Sequence, residues 1–406
     1  VFRLFDLAIH GKTFSGDLRE LWTYVEKGVI SCVSTRRAGS ADKTFELSDD
    51  ELLLPAATDL HVHLRDWDQS HKETVESGTK SALLGGVTTI ADMPNTQPEL
   101  STPELVKKRV ELIKSSSYVD FCLHCALPQE PKSLVKMKEA GAYAVKFYPK
   151  DLSLFEEYAE YASKIGLKSV VHAEEPKLID TVNEAKAELN AVKSLVRCIR
   201  KEWEVRFAHV STASALKHIL GAKLNSLKVT FEVSPHHMFI DKQSCVKRLG
   251  LASTVRPPLR SKRDVETLFS ALFSNLIDFY ATDHAPHTKK EKFSPNPSPG
   301  FPSLEIAYPL LLTKTSDPAI ACKVYCERPA EYLGIKKGFI RPGYLADLVV
   351  FARSRQRVDG SKFASKAKIT PFEGEYLDYS IRKVFIRGKL VCSPSLIEKV
   401  NVEHVK

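Results

Sequence analysis

The sequence predicts an α/β fold: a (β/α)8 barrel with a small flanking β-domain built from both chain ends. Three observations predict it. Eight short apolar runs recur between residues 52 and 283. Amphipathic helical patterns separate most of them. Residues able to bind metal or move a proton stand at the C-terminal ends of five of these runs. Strand alternating with helix implies parallel βαβ units. Eight such units within about 300 residues imply a closed barrel.

Taken in order, residues 1–53 hold short strand-like runs broken by glycine and charge, and form the first part of the flanking β-domain. The barrel is expected over 54–345. Its strand candidates are "LLLPAATDLHVH", "GVTTIADM", "VDFCLHCAL", "GAYAVKFY", "KSVVHA", "VRFAHV", "KVTFEV" and "LIDFYATD". Between them lie helical patterns such as "TPELVKKRVELIKSS", "PKSLVKMKEAG", "LFEEYAEYASKIG" and "ASALKHILGAKLN". "NPSPGFPS" (296–303) reads as an ordered loop. Residues 346–406 complete the flanking β-domain with runs such as "KVFIRGKLV".

Composition narrows the function. A chain of 406 residues can bury a large core. No apolar run reaches the ~18 residues of a membrane span, and "VFRLFDLAIHGKTF" lacks the pattern of a secretion signal. A cytoplasmic protein is expected. The net charge is +9, but the basic residues are spread along the chain beside acids, as in "VKKRVELIK". That describes a solvated surface rather than a nucleic-acid site, with at most a mild attraction for an acidic substrate. Eight cysteines without a secretion signal read as reduced thiols. Cys122 and Cys125 form a CxxC without a second pair. Buried thiols are therefore expected there, not a four-ligand zinc site. His124 between them reads as a packed histidine.

The chemistry lies in what the strand ends bring together. His61 and His63 are two apart in a strand, so both imidazoles share a face and can reach one ion. Lys146, His172 and His209 end the fourth, fifth and sixth strands, and Asp283 follows the eighth. In a (β/α)8 barrel all these ends open on one face. Each histidine alone reads as an ordinary polar residue, whereas their joint placement reads as a metal site. Lys146 is the odd member, because a buried ammonium beside metal ions is repelled and costly. It snorkels, pairs with Asp283, or is carboxylated by CO2, which would turn the cation into an anionic bridge.

These residues in this order resemble the amidohydrolase superfamily, and within it the dihydroorotases. The stretches that carry the resemblance are "DLHVHLRD", "DMPNT", "VKFY", "VHAEE", "AHVST", "FEVSPHHMF", "VRPPLR", "ATDHAPHT" and "PGFPSLE", and they span the whole barrel. The HxH pair marks only the superfamily; "MPNT" with "DHAPHT" and "PGFPSLE" is more specific.

The resemblance implies reversible cyclisation of N-carbamoyl-L-aspartate to L-dihydroorotate, in pyrimidine biosynthesis. It implies two Zn2+ ions per chain, one on His61, His63 and Asp283, the other on His172 and His209. N6-carboxylysine at Lys146 and a hydroxide would bridge them. Asp283 would move the proton. Arg65, Asn95 and His287 would hold the substrate carboxylate, and Pro299 and Gly300 would present backbone groups to the ring. Glu232 and His237 would touch an extra metal or stand behind the site, with His236 sharing that uncertain role and Arg256 bracing the region. Also implied are a small-molecule substrate, a homo-oligomer and association with aspartate transcarbamoylase. The segment Lys150–Ser153 departs from the Thr-bearing mobile loop of some relatives. Another cyclic amidase, an allantoinase or hydantoinase, is the alternative enzyme. An inactive scaffold for a partner enzyme should lack metal residues, and none is missing here.

Overall fold

Pro55 divides the first apolar run in two. Proline has no N–H to give to a ladder, and the next residue, Ala56, donates its N–H out of the run to the Asp347 carbonyl at 2.9 Å. The single strand expected over residues 52–63 is therefore two strands in different sheets. This is seen in a computed structural model that describes residues 3–181 and 183–406. Four strands precede the break: β1 (Arg3–Phe14), β2 (Leu18–Glu26), β3 (Val29–Ser34) and β4 (Gly39–Glu46). The run itself supplies β5 (Glu51–Pro55) and β6 (Ala57–Val62).

From β6 onward the alternation seen in the sequence builds the barrel. Its strands are β6, β7 (Val87–Asp92), β8 (Asp120–Cys125), β9 (Ala144–Phe147), β10 (Lys168–Val171), β11 (Val205–Phe207), β12 (Val229–Val233) and β13 (Phe279–Tyr280). They pair in sequence order, every neighbour parallel. The ring closes where the His63 N–H donates to the His284 carbonyl at 2.8 Å. Parallel strands buried on both faces need apolar runs, and every residue of β6, β7, β8 and β9 is buried. The last strand is much shorter than its eight-residue run suggests, because the chain turns away at Ala281 to carry Asp283 across the rim.

Six helices fill the first six connections: α1 (Val75–Leu84), α2 (Pro103–Ser116), α3 (Leu134–Ala140), α4 (Phe155–Lys164), α5 (Ala187–Cys198) and α6 (Ala213–Leu224). The helical patterns at 102–116, 131–141, 154–166 and 213–225 correspond to α2, α3, α4 and α6. Thr74, Thr102 and Thr212 start α1, α2 and α6 by accepting a backbone N–H three residues on. Between β12 and β13 lie α7 (Pro235–Phe239), α8 (Lys242–Leu249) and α9 (Lys262–Phe273). After β13 come α10 (Lys289–Lys292), α11 (Leu304–Thr315), α12 (Pro318–Cys322) and α13 (Arg328–Leu333). Among the described residues no helix is long and apolar enough to cross a membrane.

The two chain ends meet in one nine-stranded sheet beside the barrel, as the sequence suggests. The C-terminal strands are β14 (Leu348–Arg357), β15 (Tyr376–Ile386), β16 (Lys389–Ser393) and β17 (Leu396–Ile397). The order is β17-β16-β15-β14-β5-β1-β2-β3, with β4 on β1. β5 is the join: it runs antiparallel to β14 and touches β1 on its other side.

A buried ionic cluster ties this sheet to the barrel. The Lys337 ammonium lies 2.6 Å from Asp120 and 2.7 Å from Asp347, and also donates to the Thr89 hydroxyl at 3.0 Å. Arg387 adds a second cation to Asp120 at 2.6 Å. Removing one partner of such a cluster strands the others without water. Lys337→Met is expected to lower unfolding stability by about 3–5 kcal/mol, read as a shift in the urea midpoint.

Candidate active site

The C-terminal ends of the barrel strands place each polar side chain at the rim. His61 lies in β6 and His63 just beyond it, on the same face. Lys146 lies inside β9, His172 directly follows β10, and His209 and Asp283 sit two and three residues past β11 and β13. Arg65, His209 and Asp283 have left-handed backbones, with φ of 52°, 35° and 47°. Such a conformation costs a non-glycine residue roughly 1–3 kcal/mol and collects at functional sites. It turns each side chain inward at the rim.

These residues converge on a cavity of about 190 Å3. His61, His63, Arg65, Asn95, Lys146, Tyr148, His172, His209, Arg256, Asp283, Pro299 and Gly300 all line it. Ligand atoms of His61, His63 and Asp283 lie within 4.8 Å of one another. Asp283 Oδ1 is 3.3 Å from His61 Nε2 and 3.1 Å from His63 Nε2. The His172 and His209 rings are 4.4 Å apart, and His209 is 5.2 Å from His61.

The outer ring nitrogens are already engaged. His61 Nδ1 bonds Glu232, His63 Nδ1 donates to Asn95 Oδ1 at 2.6 Å, and His172 Nε2 pairs with Glu174 at 2.7 Å. That leaves one nitrogen of each ring for the centre, the arrangement metal-binding histidines use. Burial keeps His61, His63 and His209 well below the usual imidazole range, so all three are neutral and able to ligate. The donor set thus fits a metal centre.

Lys146 is fully buried and its ammonium has no hydrogen-bond partner. The expected alternative, pairing with Asp283, is not among the ion pairs of the described residues. Burial pushes the Lys146 amine down and the Asp283 carboxyl up. A neutral amine is the form that adds to CO2, so the site suits carboxylation of this lysine.

On the other side of the cavity Arg65 is 6% exposed, and its Nε has no partner. Its Nη2 lies 3.2 Å from His287 Nε2, which is also 3.0 Å from the Pro299 carbonyl. His287 therefore stands one side chain behind the cavity, and burial drives its pKa down to about 2.

The remaining residues separate clearly. Glu232 lies behind His61 and is 3.2 Å from the buried Arg206 guanidinium, which also donates to the Leu60 carbonyl at 3.1 Å. His237 is spent on Ser234 Oγ at 2.7 Å and the Pro257 carbonyl at 2.9 Å, and does not line the cavity. His236 is buried with both ring nitrogens unpaired, 4.0 Å from Asp283 Oδ2. Arg256 is held by Glu184 at 2.6 Å and by Asp180. His124 is packed in the barrel floor, accepting from Arg206 at 3.0 Å. All eight cysteines are free, and burial raises Cys122 and Cys125 to about 12, leaving them inert.

Two site residues were quoted in motifs without a role. Tyr148, in "VKFY", lines the cavity with a buried hydroxyl that has no partner. Glu174, in "VHAEE", holds His172 from two residues away. At Lys150–Ser153 the chain forms 3₁₀ turns, with Asp151 accepting the Tyr148 N–H at 2.9 Å and Lys150 paired to Glu99 at 3.1 Å.

The eight-stranded parallel barrel thus carries histidines, a buried lysine and an aspartate at its rim, a donor set that fits a metal centre. Residues 52–391 match the amidohydrolase family, and the chain belongs to it. Its relatives locate it further, among the dihydroorotases. It is 35% identical to the dihydroorotase of Pyrobaculum aerophilum, over 84% of this chain and 88% of that one. It is 32% identical to that of Pyrococcus furiosus, over 95% and 92%. The L-hydantoinase of Arthrobacter aurescens shares the fold, with a TM-score of 0.92 at 24% identity, covering 99% of this chain and all of the other.

If Glu232 orients His61, Glu232→Gln should weaken metal binding about 10–100-fold and, by leaving the buried Arg206 without its acid, lower the melting temperature. Competition with a chromophoric chelator measures the first and a thermal melt the second.

Proposed function

We propose that this dihydroorotase hydrolyses and forms the cyclic amide bond of L-dihydroorotate on a two-zinc centre, interconverting it with N-carbamoyl-L-aspartate. The observation that carries the substrate is Arg65. A buried guanidinium with an unpartnered Nε, facing the same cavity as the His–Asp cluster, calls for an anionic ligand. A ring amide bearing a carboxylate supplies one; a hydantoin without a carboxylate does not.

In this reading His61, His63 and Asp283 would hold one zinc ion and His172 and His209 the other, with Lys146, once carboxylated, supplying a further anionic ligand. Bound zinc supplies Lewis-acid activation of water and of the ring carbonyl. The rest is done by side chains. Arg65 and the amide nitrogen of Asn95 grip the substrate carboxylate, with His287 steadying Arg65. Backbone groups at Pro299 and Gly300 face the ring. Asp283 accepts a proton from the water whose oxygen attacks the ring carbonyl carbon. It returns that proton to the ring nitrogen as the C–N bond breaks. In the synthetic direction the same steps run backwards.

The setting we propose is the cytoplasm, in keeping with eight unpaired thiols. A homo-oligomer associated with aspartate transcarbamoylase is proposed on family resemblance.

Three results test the reading. Chelation should abolish hydrolysis of L-dihydroorotate and added zinc restore it; turnover indifferent to chelation would sink the metal assignment. Asp283→Asn should cut kcat by at least about a hundredfold while most of the metal stays bound. Arg65→Ala should raise KM for dihydroorotate about ten- to a hundredfold, with metal content intact. Unchanged constants would remove Arg65 from the site.

A further inference from the structure

Lys292 is a lysine where none is easily kept. It ends the short helix α10 and is 1% exposed. Among the described residues no carboxylate lies within ion-pair distance of it. Instead its ammonium donates to two backbone carbonyls, Thr254 at 2.7 Å and Ser298 at 3.2 Å, and lies 4.4 Å over the Phe301 ring. Burial lowers its pKa to about 7. A buried cation satisfied only by carbonyls is expensive, and an apolar side chain would fill the space without that cost.

The two carbonyls say what the cation holds. Thr254 directly precedes Val255 and Arg256, and Ser298 directly precedes Pro299 and Gly300. All four of these following residues line the cavity. The Gly300 N–H donates to the same Thr254 carbonyl at 3.2 Å. Gly300 is also pressed against the far wall: its φ is +140°, and a Cβ there would stand 2.4 Å from the Ala285 carbonyl. The Pro299 carbonyl in turn meets His287, the support of Arg65. One ammonium therefore joins the loop between α8 and α9 to the loop after α10, from behind the cavity.

We infer that Lys292 is a positioning residue for substrate binding: a cationic staple that sets the gap between the two loops flanking the substrate ring. This rests on the dihydroorotase reading of the site. Lys292 makes no hydrogen bond to the histidines, Lys146 or Asp283, so its effect belongs to binding and not to bond breaking. The staple acts through carbonyls that exist in any sequence. Its specificity lies in the donor and in where the two loops begin.

The test compares Lys292→Met, which keeps the apolar stem, with Lys292→Arg, which keeps charge and donors, both in the full zinc-loaded chain. With L-dihydroorotate, Lys292→Met should raise KM about tenfold or more while kcat stays within about threefold. Lys292→Arg should return KM towards the unmodified value. A general loss of folded protein lowers the active fraction and leaves KM alone, so KM unchanged in Lys292→Met, or a fall in kcat alone, overturns the staple. Should Lys292→Met be insoluble, Lys292→Gln is read by the same criteria. Hydrogen exchange gives a readout independent of the substrate. Backbone amides of 254–256 and 298–301 should exchange faster in Lys292→Met, with the barrel strands unaffected; equal exchange overturns the inference. If the unmodified chain fails to turn over dihydroorotate, the substrate reading falls and the exchange result alone decides on the staple.

Discussion

Everything at the rim depends on how the first and last barrel strands are joined, and one carboxylate does most of that joining. Asp59, two residues before His61, is fully buried. It accepts the His61 N–H at 3.0 Å, the Thr282 N–H at 3.2 Å and the Tyr325 hydroxyl at 2.7 Å. The first ties β6 to itself, the second ties it to the segment that carries Asp283, and the third reaches a π-helical turn (Lys323–Glu327) outside the ring. Without that link the two ends of the barrel, 220 positions apart at His63 and Asp283, would have only a few backbone bonds to fix their spacing. Metal ligands tolerate little misplacement, so the closing bond and the site are one problem.

The same economy appears in the charges. Buried basic groups at the cavity and its floor include Arg65, Lys146 and Arg206, and buried acids include Asp283, Glu232 and Glu174. Arg206 is matched by Glu232, and Glu232 holds His61. Among the described residues neither Arg65 nor Lys146 takes part in an ion pair. In a low-dielectric interior such groups mark where something else is meant to bind or react. In the reading proposed above, Arg65 would take an anion from outside and Lys146 a group added to its own nitrogen.

Much of this was legible in the sequence, and the parts that were not share a cause. Strand alternation gave the barrel, because parallel strands buried on both faces must be apolar runs. The His61–His63 pair was readable because strand periodicity is two. Pro55 could have warned that the first run is two strands, yet it lies within an unbroken apolar stretch that outweighs it. Glu232 and His237 looked alike in "FEVSPHH". Only three dimensions separate the one that meets His61 from the one that is used up on Pro257. Lys292 carries no visible signal at all, since its partners are main-chain carbonyls, which every residue has. Sequence reveals groups that need a particular chemistry; it hides those that need a particular place.

The left-handed backbones at Arg65, His209 and Asp283 bear on how this chemistry could be moved. Three of the side chains that matter are aimed by a kink in the chain and not by their rotamers alone. Copying the amino acids onto the straight strand ends of another barrel would reproduce the composition of the site and miss its aim. The portable unit is the bent rim segment, main chain included, together with the neighbours that hold it bent. A designer borrowing this centre would have to inherit its strain along with its ligands.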